Sequence, residues 1–232
     1  MFPGQWSLYA DRYPCQTNPQ QKDEAIDRWL AVSTLGHALS EQKRYSTAEI
    51  KFWEAQRLAE LIAGVEHKPV AAGPEPPSST EPTIGKDFEE IKGDCQGSPV
   101  TTEDLERLGK TMNNLAAVFH MQGKFKMAEE MYERCLDLKL DIYGEEHLET
   151  AVIMHNLAAL HCAKKRWEKA EILYKRALEI REKALGPDHA DLVPILKNYA
   201  VMLRKVVREP EAIELEDRIA KIAPQQIQAV ES

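Results

Sequence analysis

The sequence predicts an all-α fold, a solenoid of stacked antiparallel helix pairs. Three observations carry that prediction. The chain repeats itself at a step of 42 residues, its apolar residues recur at three and four within each repeat, and turn-forming residues punctuate the repeats at matching places. Asn114, Leu115, Ala116 and Ala117 fall on Asn156, Leu157, Ala158 and Ala159. Phe125 falls on Trp167, Ala128 on Ala170, Glu129 on Glu171, Tyr132 on Tyr174, Arg134 on Arg176 and Leu136 on Leu178. The loop Gly144-Glu-Glu-His147 falls on Gly186-Pro-Asp-His189.

Residues 1–22 read as an N-terminal arm and 23–68 as a first repeat unit. That unit matches the later ones at a shift of 80: Leu35, Tyr45, Ala48, Glu49, Phe52 and Leu58 stand where Leu115, Phe125, Ala128, Glu129, Tyr132 and Leu138 follow. About 38 extra residues therefore separate the first copy from the second. They fall in 69–105, which holds six of the 13 prolines, with Ser78, Ser79 and Thr80, an insertion of linker composition between units. Its acidic Asp87-Phe88-Glu89-Glu90 is a candidate internal pseudo-ligand, set against the simpler reading of a solvated loop.

Residues 106–222 read as units two to four. Each is two helices broken near Gly123-Lys124 or its equivalent. Gly144 and Gly186 sit where left-handed C-caps are expected, and Thr101 or Thr102 ahead of Glu103 and Asp104 forms an N-cap. Pro194 fits the first turn of a helix starting near Asp191. Ala116, Ala128, Ala158 and Ala170 stand where helix backbones cross, because larger side chains would push the helices apart. Phe125/Trp167 and Tyr132/Tyr174 are expected to fill the space between pairs. A third, decayed copy keeps Asn198, Ala200, Ala212, Arg218 and Ile222. Its charged last helix, from Glu209, suits a cap facing water, and 223–232 read as a tail. Trp53 stands where later units carry Glu133 and Lys175, so it is expected on an exposed face, covered by the arm through Trp6 and Tyr9.

Composition narrows function. With 43% hydrophobic residues the 232-residue chain can fold without a metal or disulfide staple. No apolar run approaches the roughly 18 residues of a membrane helix, and Met1–Cys15 lacks the pattern of a signal peptide, so a cytoplasmic protein with no membrane insertion is expected. A net charge of −8 argues against nucleic acid. Cys15, Cys95, Cys135 and Cys162 form no metal or redox spacing, and no cofactor is expected. No phosphate loop, nucleophile elbow or zinc helix motif is present. His67, His147 and His189 share one loop position, which marks them as helix-capping residues. Cys135 replaces a core alanine and His161 replaces Phe119 at core-facing sites, so both are expected to pack. The chain is not expected to be an enzyme.

The 42-residue period, the Asn113-Asn114-Leu115-Ala116 and Gln122-Gly123-Lys124-Phe125 core and the Leu185-Gly-Pro-Asp-His189 loop resemble the tetratricopeptide repeat, in the version found in kinesin light chains. The resemblance is specific over 106–194, weaker over 23–68 and 195–222, and does not extend to 1–22 or 69–105. It implies a right-handed superhelix whose first helices line a concave groove. On that basis the groove residues are Lys110, Asn113, Asn114, His120, His155, Asn156, Lys197, Asn198, Arg204 and Lys205, with Ala117, Met121, Ala159 and Cys162 between them. Asn114, Asn156 and Asn198 form a ladder of amides able to pair with an extended main chain. Lys197, Arg204, Lys205 and Arg208 form a basic run, with Lys110 a further cation. The expected function is a scaffold or adaptor holding an extended, acidic peptide segment. An assembly factor or co-chaperone, or a subunit oligomerising through its outer surface, is the alternative. A monomer or weak homo-oligomer is expected.

Overall fold

The computed structural model describes residues 19–64 and 100–230, leaving aside the side chains of Pro19, Gln21 and 223–230. The described residues are helical apart from short turns, and no strand occurs among them. The helices are α1 (Pro19–Glu41), α2 (Tyr45–Ile62), α3 (Thr102–Met121), α4 (Phe125–Tyr143), α5 (Leu148–Ala163), α6 (Trp167–Leu185), a 3-10 turn at Ala190–Leu192, α7 (Val193–Lys205) and α8 (Glu209–Val230). They form two compact units, Met1–Ile142 and Tyr143–Ser232, each holding two helix pairs.

The repeat alanines explain the close pairing. Ala48, Ala128 and Ala170 on the second helices and their counterpart Ala212 are wholly buried, as are Ala116 and Ala158 on the first helices. At the equivalent place in α1 stands Gly36, where a Cβ would lie 2.8 Å from the Phe52 ring. Each turn inside a pair passes through one residue with positive φ: Lys43 at 58°, Gly123 at 74°, Lys165 at 57° and Val207 at 62°. The backbone at this point is set by the repeat, and glycine occupies it only once.

In the first unit α1 meets α3 through two polar links. Lys22 Nζ donates to Asp104 Oδ2 at 2.6 Å, and Trp29 Nε1 donates to Thr111 Oγ1 at 2.9 Å. Asp104 also completes a capping box with Thr101, accepting from the Thr101 N–H at 2.8 Å, and accepts from Arg107 at 2.9 Å. Thr101 is thus the N-cap, and the boundary drawn at 105 moves back to it, because the box closes the helix start there. The arm boundary moves too: Pro19, with its φ fixed near the helical value, opens α1 four residues before 23. Trp53 is buried, its ring 6.1 Å from that of Phe119 on α3. The face expected to be open is therefore met by Phe119 of α3, while the expected cover by Trp6 and Tyr9 falls outside the described residues. Residues 1–18 and the Asp87–Glu90 stretch lie outside the described residues. Cys135 is fully buried, its thiol donating to the Gly109 carbonyl at 3.2 Å.

In the second unit the loop histidines cap helices. His147 Nδ1 accepts from the Glu149 N–H at 3.1 Å, and His189 Nδ1 from the Asp191 N–H at 3.2 Å. His147 also stacks on Tyr143. Gly144 has φ +81°; Gly186 has φ +96° and ψ 159°, outside the left-handed helical region and open essentially to glycine alone. Pro194 lies in the first turn of α7, as its missing N–H requires. Tyr174 and Tyr199 stack at 5.7 Å. Phe125 and Trp167 are only half-buried, whereas Tyr132 and Tyr174 are buried. α8 extends beyond 222, through Pro224 to Val230, so the first residues assigned to a tail are helical and one backbone bond is forgone at the proline.

Candidate peptide-binding groove

The first helices carry an open depression in each unit. In the first, of about 260 Å³, Lys110, Asn113 and Asn114 of α3 face Trp29, Leu30, Ser33, Thr34 and His37 of α1. In the second, of about 220 Å³, Asn198, Val201, Met202 and Lys205 of α7 face Ala159, Cys162 and Ala163 of α5, with Tyr174 at the back. The floors are small and largely apolar, and each rim carries an asparagine and a lysine.

Both asparagines are held by a histidine on the preceding first helix. Asn114 Nδ2 lies 3.0 Å from His37 Nε2, and Asn198 Nδ2 lies 2.8 Å from His155 Nε2. Burial, then Arg181, lowers the His155 pKa to about 4, so its ring is neutral near pH 7 and offers one acceptor nitrogen. The Asn198 amide N–H donates to it, which leaves the amide oxygen as the unused acceptor. Ser33 contributes a buried hydroxyl with no hydrogen-bond partner among the described residues. Cys162 Sγ sits 3.9 Å from Tyr174 Oη, and burial raises both pKa values. That disfavours a thiolate nucleophile.

The expected residues separate. Lys110, Asn113 and Asn114 come together in one depression, Asn198 and Lys205 in the other. His155 acts from behind Asn198, and Asn156, half-buried beside it, does not line the depression. His120 lies at the end of α3 with its ring edge-on to Phe125 at 6.0 Å, and burial lowers its pKa. Lys197 is exposed on α7 but outside the depression.

The basic run is partly neutralised. Arg204 is bound to Glu216 of α8 at 2.7 and 2.9 Å and also to Glu209. Arg208 is bound to Glu171 at 2.6 Å and to Glu211 at 2.5 Å. The Arg208 bond draws the Glu171 pKa down to about 2. Lys110, Lys197 and Lys205 make no ion pair among the described residues. Trp29, Ser33, His37, Tyr174, Val201 and Met202 were not expected in the lining. His37 and Val201 were within reach of the repeat, since the shifts that align the units place them on Ala117 and Ala159.

No group of three metal-ligating side chains occurs among the described residues, and no helix among them is long and apolar enough to cross a membrane. The helix pairs and their first-helix depressions define a helical-repeat protein of the interaction-scaffold class. A sequence model of the tetratricopeptide repeat matches residues 107–183 and again 149–225, together just over half of the chain. The protein belongs to the tetratricopeptide repeat family. Among solved structures, BtubC (BKLC) from P. vanneervenii is similar over 97% of this chain and 75% of its own, at 18% identity and a TM-score of 0.62, which shows the shared fold. A structure of nearly identical TPR-like repeats of the kinesin light chain kind from Podosopora anserina covers 86% of this chain and 96% of its own, at 15% identity and a TM-score of 0.49. No curated protein matches the chain.

Proposed function

We propose that the protein is a non-catalytic adaptor that holds an extended, acidic segment of another protein against the first-helix depressions, in the cytoplasm. One observation supports this reading best: each depression pairs a small apolar floor with an asparagine oxygen and an unpaired lysine on its rim, Asn114 with Lys110 and Asn198 with Lys205. The floor accepts one modest apolar side chain. The amide oxygen accepts a main-chain N–H, and the histidine behind each asparagine fixes its orientation before the guest arrives. The lysine selects for a carboxylate nearby, giving specificity and association rate more than bulk affinity. Because Arg204 and Arg208 are already matched by acids, Lys110, Lys197 and Lys205 carry the charge preference.

The test is an array of peptides of about ten residues, binned by net charge and probed with labelled protein. The acidic bin is expected to dominate, with binding weakening as salt rises. Lys110→Glu/Lys205→Glu is expected to abolish that preference. Dominance of basic or neutral peptides, or a preference unchanged in the variant, overturns the assignment.

A further inference from the structure

Repeat arrays require terminal faces that water tolerates. The last helix meets that need. Among its described side chains α8 exposes one large apolar residue, Ile213, amid Glu211, Glu214, Asp217 and Lys221. α1, the first described helix, does not. From Leu30 to Ala38 the exposed positions carry no acid, lysine or arginine; of them Leu30, Thr34 and His37 line the depression shared with α3, and Ala31, Leu35 (46% exposed) and Ala38 lie beside it on the outward side, with Thr34 at the border. The Thr34 hydroxyl donates to the Leu30 carbonyl at 2.8 Å, so the side chain is already satisfied in its own helix and adds a methyl group to the apolar face.

The charges flanking this face are ordered. Asp23, Glu24 and Asp27 are exposed at its start, and Lys43 and Arg44 are exposed just past its end; none of the five makes an ion pair among the described residues. Two charges are out of order: Glu41 near the basic end and, beside Asp27, the half-buried Arg28, which pairs with Glu54. The face is also self-complementary. Asp27, Ala31, Thr34, Leu35, Ala38 and Gln42 follow the helical spacing of one stripe. Turned end for end about a point between Thr34 and Leu35, the stripe maps onto itself: Ala31 meets Ala38, Thr34 meets Leu35 and Asp27 meets Gln42. The two alanines permit close approach, and each acidic start comes beside the other copy's Lys43 and Arg44. Such a match between identical surfaces is what an isologous two-fold contact requires.

We propose that the outward face of α1 is a homodimer contact on which a second copy of this chain docks antiparallel. One helix pair buries an area at the small end for specific interfaces, below about 1,200 Å², so the dimer is weak and concentration-dependent.

Sedimentation velocity of the full chain tests this, over protein concentrations from about 1 to 500 µM. The weight-average mass is expected to rise toward twice that of the chain. Leu35→Glu is expected to move the midpoint at least about tenfold higher in concentration. Glu24→Arg/Asp27→Arg and Lys43→Glu/Arg44→Glu are each expected to dissociate the dimer, because both ends of the stripe then carry one sign. An equimolar mixture of those two chains is expected to associate again, which a merely unfolded variant could not do. All substituted positions are exposed, and unchanged helical circular dichroism checks the fold. A monomeric mass at every concentration, association indifferent to Leu35→Glu, or a mixture that stays monomeric each overturns the proposal. The first and last of these also cover the case in which another part of the chain occupies α1.

Discussion

Asp104→Ala should be among the most damaging single substitutions in the first unit. The carboxylate is 1% exposed and serves three donors on two helices: Lys22 of α1 at 2.6 Å, the Thr101 N–H at 2.8 Å and Arg107 at 2.9 Å. Loss of a helix cap alone costs about 0.5–2 kcal/mol. Removing one partner of a buried ion pair costs about 3–5 kcal/mol, because the other charge stays buried without compensation. The Lys22 side chain is 11% exposed, so it meets that condition. One carboxylate supplies both effects, so they do not simply add, and a total of about 3–5 kcal/mol is expected. Two units need not unfold together, so a loss of this size is best read unit by unit. Hydrogen exchange resolves them: protection in α1 and α3 should fall by roughly 150-fold or more, while α7 in the other unit serves as the internal reference. Lys22→Met/Asp104→Leu, which removes both charges, should recover most of the loss. A fall of less than about fivefold for Asp104→Ala, the behaviour of a surface pair, would refute the reasoning.

Two further outcomes follow from the second unit. Val207 is β-branched, 86% exposed and held at φ +62°, where glycine is relieved of a penalty of about 1–2 kcal/mol and gives part of it back as chain entropy. Val207→Gly should therefore stabilise α7 and α8 by about 0.5–1 kcal/mol and raise the thermal midpoint by a few degrees, and Gly123→Val should do the reverse in the first unit; a lowered midpoint for Val207→Gly sinks the idea. His155 is held neutral, with its pKa lowered to about 4, so the unfolded chain binds the extra proton first and stability drains away as pH falls from about 6.5 toward 4. Urea denaturation should show a drop of about 1–2 kcal/mol over that range, after allowance for the ring's partial exposure, which His155→Gln lacks; identical profiles would count against it. The pull of Arg208 on Glu171 acts lower, its stabilisation present above about 4.5 and lost toward pH 2.

The repeat made the backbone legible and left most of the side-chain chemistry hidden, and particular residues show why. Ala128 and Ala170 report the close pairing of two helices within a unit, a local demand that recurs with the unit, so a shift of 42 carries it. His147 and His189 report a helix start, which is equally local, and they cap as their position suggested. Trp53 depends on what the neighbouring pair presents, here Phe119, and no single unit contains that information. The partners of the asparagine ladder were hidden for the same reason. Asn114 and Asn198 each find a histidine, but His37 aligns with Ala117 whereas His155 aligns with Asn113, so two different positions reach one amide.

Charge was misread on similar grounds. Arg204 and Arg208 stand in a run without acids along the sequence, yet Glu209, Glu211, Glu216 and Glu171 surround them once α6 and α8 pack. Lys110, Lys197 and Lys205 stand on the first helices α3 and α7, whereas the acids that hold Arg204 and Arg208 stand on α6 and α8. Exposed lysines in an acidic chain thus reflect a division of labour between the two helices of a unit. In the second unit the second helices carry the acids that hold Arg204 and Arg208, and the first helix α7 leaves Lys197 and Lys205 without an ion pair among the described residues.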